Sequence, residues 1–181
     1  TDGWQNITLP EDKPMRFSAA AAEGEYREGG GAVRFTLDTD IGPMGMKYFD
    51  LGRLKGTLVG SDGYSFWVKG DGSGGTLEIR LSQSDWSAWD SPPLTLDFAD
   101  WRQVVVLRED CRFHNWGRNG PRWDDVKVFA LRYSGRSGSL LIDDLLFHRR
   151  TAAMKVRRLP PPAAPVTLRI DTARELAPIP A

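Results

Sequence analysis

At 181 residues the chain suits one domain plus some extra, and an all-β domain of roughly 150 residues buries about two thirds of its unfolded surface, so a core forms without staples. Its 24 basic and 24 acidic residues cancel, which removes the electrostatic footprint that nucleic-acid binding requires; no run approaches the ~20 apolar residues of a membrane span. A single cysteine, Cys111, excludes an intrachain disulfide framework and reads as a small buried hydrophobe, while 19 glycines and 7 tryptophans suit short strands joined by loops better than helices.

The opening Thr1-Asp2-Gly3, without a methionine, reads as a processed or excised piece. Trp4–Pro10 is a short strand, and Met15–Ala22 fits strand or helix, with flanking prolines and glycines favouring strand. Ala32–Asp38 alternates Val33, Phe35 and Leu37 with Arg34, Thr36 and Asp38, as a half-buried strand does. Asp40–Gly45 reads as a turn, and Tyr48–Leu58 as a strand or an irregular crossover.

Tyr64–Leu81 carries the plainest signal: two alternating runs flank the glycine-rich loop Gly70–Gly75, the pattern of an antiparallel hairpin with a long turn. Folded symmetrically, Val68 meets Leu77, Phe66 meets Ile79 and Tyr64 meets Leu81 on an apolar face. Trp67, Glu78 and Arg80 then share the other face. The loop is no phosphate cradle, since it lacks a following Lys-Ser/Thr and leads into a strand.

Ser82–Pro93 is a polar loop holding Trp86 and Trp89, and burying such a ring of ~200 Å² is worth too much for its exposure to be idle. Leu94–Phe98 is a short strand and Gln103–Leu107 a buried one. The long loop Arg108–Asp125 holds Trp116 and Trp123 with Arg112, His114, Asn115 and Arg118, and long loops in compact domains are usually functional. Val126–Tyr133 and Ser139–Phe147 are two more strands; the second contains Asp143 and Asp144, one of which must face the core side or a rim and needs a partner there. Residues 149–165, with five basic residues and four prolines, read as a linker, and residues 166–181 as the truncated start of a following domain. The expected domain is therefore 1–148. Its short strands and glycine turns indicate an all-β antiparallel sandwich, with the jelly roll favoured over a barrel.

The succession FWVKGDGSG, LEIRL, LTLDFADWRQVVV, VKVFALRY and SGSLLIDDLLF resembles the carbohydrate-binding modules of the galactose-binding-like jelly-roll superfamily, over residues 1–148 and most specifically over Tyr64–Phe147. The tail VTLRIDTARELAPIPA resembles the opening of (β/α)8 glycosidase domains. The resemblance implies a non-catalytic module that binds a polysaccharide or oligosaccharide and targets a covalently linked glycoside hydrolase, in a secreted, extracellular or periplasmic bacterial protein. The alternative is a structural sandwich that packs on the hydrolase and binds no sugar.

Sugar recognition needs flat apolar platforms together with side chains that form paired hydrogen bonds to vicinal hydroxyls. Trp67 with Glu78 and Arg80 supplies that chemistry on a sheet face, unless Trp67 is covered by a loop. Trp86 and Trp89, with Asp85 and Asp90 nearby, supply it on one loop or else cap the sandwich. Trp116 and Trp123 with His114 and Asn115 supply it on another. Trp101 sits where the family has a packing residue. The family's structural calcium points to Asp143 or Asp144, with Glu23, Glu25 or Asp38 contributing; the alternative is a pair satisfied by amides and arginine. His114 and His148, the only histidines, lack metal-ligand spacing and a nucleophile partner, and no carboxylate pair of a glycosidase is recognisable.

Overall fold

The computed structural model describes residues 4–6, 17–27, 29–37, 44–51, 60–135 and 137–149. The chain divides into two compact units, Thr1–Arg150 and Thr151–Ala181. The second, which holds nearly all of the expected linker and the whole tail, lies outside the described residues.

The described residues form twelve strands: β1 (Trp4–Asn6), β2 (Phe17–Ala22), β3 (Ala32–Leu37), β4 (Met44–Asp50), β5 (Gly63–Lys69), β6 (Thr76–Gln83), β7 (Ala88–Asp90), β8 (Leu94–Thr95), β9 (Trp101–Leu107), β10 (Arg112–His114), β11 (Val126–Ser134) and β12 (Gly138–His148). One sheet runs β1-β4-β11-β6-β7-β10, with β8 also pairing β6, and the other runs β2-β3-β12-β5-β9. All pairings are antiparallel. The expected antiparallel β-sandwich is therefore the fold.

The expected hairpin is not. β5 and β6 lie in different sheets, β5 between β12 and β9 and β6 between β11 and β7. The side chains that were to oppose one another across a hairpin do meet, but face to face across the core: Tyr64, Phe66 and Val68 from one sheet, Leu77, Ile79 and Leu81 from the other, each no more than 2% exposed. Period-two alternation decides which side chains turn inward and leaves open which strand supplies the hydrogen bonds. Six residues are long enough to cross the ~10 Å between packed sheets.

The crossing is pinned at several points. The Gly72 and Gly74 amides donate to the Phe98 and Leu96 carbonyls at 3.0 and 3.1 Å, and the Leu96 amide returns to the Gly75 carbonyl at 2.7 Å. The Asp71 carboxylate accepts from the Ser73 and Ser139 amides at 2.9 and 2.6 Å. At Gly75 the backbone lies flush on the Tyr133 phenol, and a Cβ there would overlap the ring.

The consequence for function is large. Trp67 stands on the outer side of the five-stranded sheet, while Glu78 and Arg80 stand on the outer side of the other, with the core between them. That core is completed by Phe35, Leu37, Phe129, Leu131, Leu140 and Ile142, with Tyr64 edge-on to Phe129 at 6.2 Å.

Smaller differences follow from pairing as well. Strand β4 begins at Met44, inside the expected turn, because β11 supplies partners as far as Met44. The VVV run of β9 forms an edge rather than a buried strand; among the described residues it pairs only with β5, and Val105 is 59% exposed. Trp101 packs on Ala22, Ala32 and Leu141, a satellite cluster outside the main core. The two loops read as irregular, 82–93 and 108–125, contain β7 and β10, which pair with each other and extend the seven-stranded sheet.

Candidate functional site

That extension creates a cleft. On the outer side of the seven-stranded sheet, alternate residues of four neighbouring strands rise together: Glu78 and Arg80 of β6, Arg132 of β11, Asp90 of β7, and Arg112 and His114 of β10. They line a depression of about 570 Å³, walled by Ser91, Pro92, Pro93 and Asp110.

Asp90 organises the floor. Its carboxylate accepts from Arg80 Nε and Nη2, both at 2.6 Å, as a two-pronged pair. Arg132 Nη1 donates to it at 3.2 Å and lies 3.1 Å from Glu78, and His114 Nε2 is 3.1 Å away. Asp90 is 6% exposed, so this charge is held out of water by its partners, as buried carboxylates must be. The floor is thus a rigid array of planar guanidinium and carboxylate groups, suited to paired hydrogen bonds with adjacent hydroxyls.

One end of the cleft is aromatic. The Trp116 ring stacks on His114, with centroids 5.1 Å apart and planes at 23°, and Arg80 Cζ lies 4.7 Å from its centroid. Trp116 remains 58% exposed, which leaves ring surface open to a ligand. The loop that carries it is tied down by alternate residues from the last of β6 onward. Gln83 accepts from the Arg122 amide at 2.7 Å and donates to the Gly120 carbonyl at 3.0 Å. Asp85 accepts from the Asn119 and Ser87 amides at 3.2 and 3.0 Å, and Ser87 Oγ accepts from the Gly117 amide at 2.8 Å. Gly117 is required here, because a Cβ would occupy the space of the Asp85 carboxylate.

Partial desolvation works to raise the Asp85 acid, but the Asn119 and Ser87 amides and the Ser87 hydroxyl outweigh it and hold the carboxyl below its ordinary range. Asp71 behaves likewise, its desolvation outweighed by Ser73 and the Ser139 amide. The Glu25 carboxyl is lowered by Lys69 and Arg34. A depressed carboxylate contributes stability at every pH above its unfolded value, about 3.9 to 4.3, and loses it as pH falls through the lower folded value. The urea midpoint is therefore expected to hold between pH 7 and about 5 and to fall below pH ~4. Asp85→Asn should make that fall shallower; an unchanged acid limb in the variant would remove Asp85 from the account.

Of the residues singled out in the sequence, Glu78, Arg80, His114 and Trp116 come together at this cleft. Asn115 helps to brace the loop, its Oδ1 accepting from Ser87 Oγ at 3.4 Å. Trp86, 66% exposed, sits at a left-handed position (φ 67°) of the neighbouring turn. The other three tryptophans lie away from this cleft. Trp123 is 4% exposed and its indole donates to Ser61 Oγ at 2.9 Å, so no ring face is offered. Trp89 packs against the core, edge-on to Trp123 at 5.4 Å and 4.7 Å from Phe113, because its strand position turns it inward. Trp67 lies on the far side of the sandwich with Arg27 over its ring at 4.7 Å. Arg80 pairs with Asp90, and Glu78 with Arg132. Arg132 escaped notice in the sequence because it is one more polar residue on an alternating strand. Cys111 is half-buried, and burial, with Asp110 and Asp90 adding to it, pushes its thiol up to about 12, which keeps it un-ionised and inert.

The aspartate pair lies at a β-bulge of β12. Asp143 is 8% exposed, and its two oxygens accept from the Arg27 and Asp144 amides at 2.7 and 2.8 Å. Asp144 is a left-handed residue (φ 50°) in the β-bulge that interrupts pairing between Asp143 and Leu146. Glu25 is engaged by Arg34 and Lys69, and Asp38 lies outside the described residues. Among the described residues no three carboxylate, histidine or cysteine groups converge, whereas calcium seeks six to eight oxygens.

The two-sheet arrangement is a jelly-roll β-sandwich. No protein-family model matches the sequence, and no curated protein matches it. Among solved structures, it is similar to a family 11 carbohydrate-binding module of a cellulosomal cellulase of Clostridium thermocellum, at 13% identity over 83% of this chain and 89% of that one, with a TM-score of 0.61. The module from the same organism in complex with a β-1,3-1,4-mixed-linked tetrasaccharide is similar at 14% identity over 81% and 89%, with a TM-score of 0.59. An exo-β-agarase is similar at 7% identity over 83% of this chain but only 23% of its own, with a TM-score of 0.54. At these identities the likeness is one of fold. No described helix is long and apolar enough to cross a membrane.

Proposed function

We propose that this chain is a non-catalytic carbohydrate-binding module, that its glycan lies along the cleft on the seven-stranded sheet, and that it works outside the cytoplasm, holding a linked glycoside hydrolase at high local concentration on its polysaccharide. The observation that carries the reading is the cleft itself: a floor of fixed guanidinium and carboxylate forks beneath an exposed tryptophan. The fold supports it, since similar solved structures are carbohydrate-binding modules. Both carboxylates of the floor are committed to arginines: Arg132 Nη1 lies 3.1 Å from Glu78 and 3.2 Å from Asp90, and Asp90 also takes the Arg80 fork.

The test is affinity gel electrophoresis of the full chain against a panel of soluble polysaccharides. Retardation by at least one is expected. Trp116→Ala should weaken it tenfold or more, about 1.4 kcal/mol, while Trp67→Ala, on the opposite side, should leave affinity unchanged. The opposite ranking would relocate the site. No retardation on any polymer would favour the second reading, a sandwich that packs on an enzyme without binding sugar, for which the match to a 23% portion of the agarase chain is the specific support.

A further inference from the structure

We infer that the glycan taken by this cleft carries an anionic substituent, a uronate carboxylate or a sulfate ester, and that Arg112 is its ligand. This rests on the reading of the cleft as a glycan site. Three arginines line the cleft, and two are committed. Arg80 spends its fork on Asp90, and Arg132 bridges Asp90 and Glu78. Arg112 rises from β10 directly opposite Asp90 in register and is exposed.

Asp90 cannot answer it. A carboxylate offers about four lone-pair sites, and the Asp90 oxygens already meet Arg80 Nε, Arg80 Nη2, Arg132 Nη1 and His114 Nε2. Among the described residues no hydrogen bond or ion pair engages the Arg112 guanidinium. The lining as a whole is neutral, three arginines against Glu78, Asp90 and Asp110, so the attraction for an anion is local to Arg112 rather than a field of the entire cleft. A free guanidinium fork matches a carboxylate or sulfate in two-pronged fashion, and such charged pairs are about twice as strong as bonds to neutral hydroxyls.

The spacing suits a chain of sugars. Arg112 and His114 are two residues apart on one strand face, about 7 Å, and Trp116 stacks on His114. A pyranose on Trp116 therefore places a neighbouring unit, rather than itself, at Arg112.

The experiment compares the full chain and two variants by affinity gel electrophoresis and calorimetry on polygalacturonate and alginate, which carry carboxylates, carrageenan, which carries sulfates, and mixed-linkage β-glucan and agarose, which are neutral, at low and moderate salt. At least one anionic polymer should bind tenfold or more tightly than the neutral ones, with affinity falling as salt rises. Arg112→Ala should abolish that preference, and Arg112→Lys, a point charge without the fork, should restore only part of it. Whether a uronate or a sulfate polymer responds identifies the source of the anion. Binding to neutral polymers alone, or anionic binding indifferent to Arg112→Ala, would overturn the inference while leaving the glycan site standing. Binding to none of the five would overturn both.

Discussion

Asp90→Ala is expected to lower the melting temperature by about 10 °C and to abolish glycan binding together with it. The side chain is 8% exposed and holds Arg80 and Arg132, themselves 16% and 21% exposed. Its removal leaves two guanidinium groups at the base of the cleft with a partner gone, and breaking a buried ion network from one side costs ~3 to 5 kcal/mol. In a domain of about 150 residues each kcal/mol moves the midpoint by ~2 to 4 °C. Asp90→Asn, which keeps the shape and one acceptor, should fall between wild type and alanine. A shift below about 2 °C for the alanine variant, read by differential scanning calorimetry, would show that the floor does not depend on this carboxylate.

Trp123→Ala should be as costly for a different reason. The indole is 4% exposed, bonded to Ser61 and packed edge-on against Trp89. Truncation of a buried tryptophan leaves a cavity worth ~3 to 5 kcal/mol. Ser61→Ala, which orphans the indole N–H, should cost about 1 kcal/mol. Trp86→Ala, at an exposed turn, should change the urea midpoint within the noise of surface substitutions, ~0.5 kcal/mol. These three together separate the tryptophan that holds the loop's base from one that the solvent already covers; equal effects at Trp123 and Trp86 would refute the division.

Four tryptophans sit in two loops, and in the sequence they look alike. Trp89 and Trp123 close the end of the core, while Trp86 and Trp116 remain outside. Composition cannot separate them, because a ring's exposure depends on whether a strand as short as Ala88–Asp90 or Arg112–His114 forms inside the loop, and three residues are too few to show a period. The same blindness hid Asp90 as the centre of the cleft. Its partners Arg80, Arg132 and His114 are 10, 42 and 24 residues away along the chain, and only strand register brings them to one carboxylate.

Alternation of apolar and polar residues by itself determined that this protein is an all-β sandwich, and it marked the inward set of β3, β5 and β6 correctly, because a side chain's face depends only on its parity along the strand. Tertiary structure alone decided which sheet each strand joins. A glycine-rich loop of six residues can turn back into a hairpin or cross to the facing sheet, and both outcomes bury the same Tyr64, Phe66, Val68, Leu77, Ile79 and Leu81. They differ on the outside. The crossing sends Trp67 to one side of the molecule and Arg80 to the other, and the site follows the hydrogen-bonded neighbours of Arg80, which no local pattern encodes.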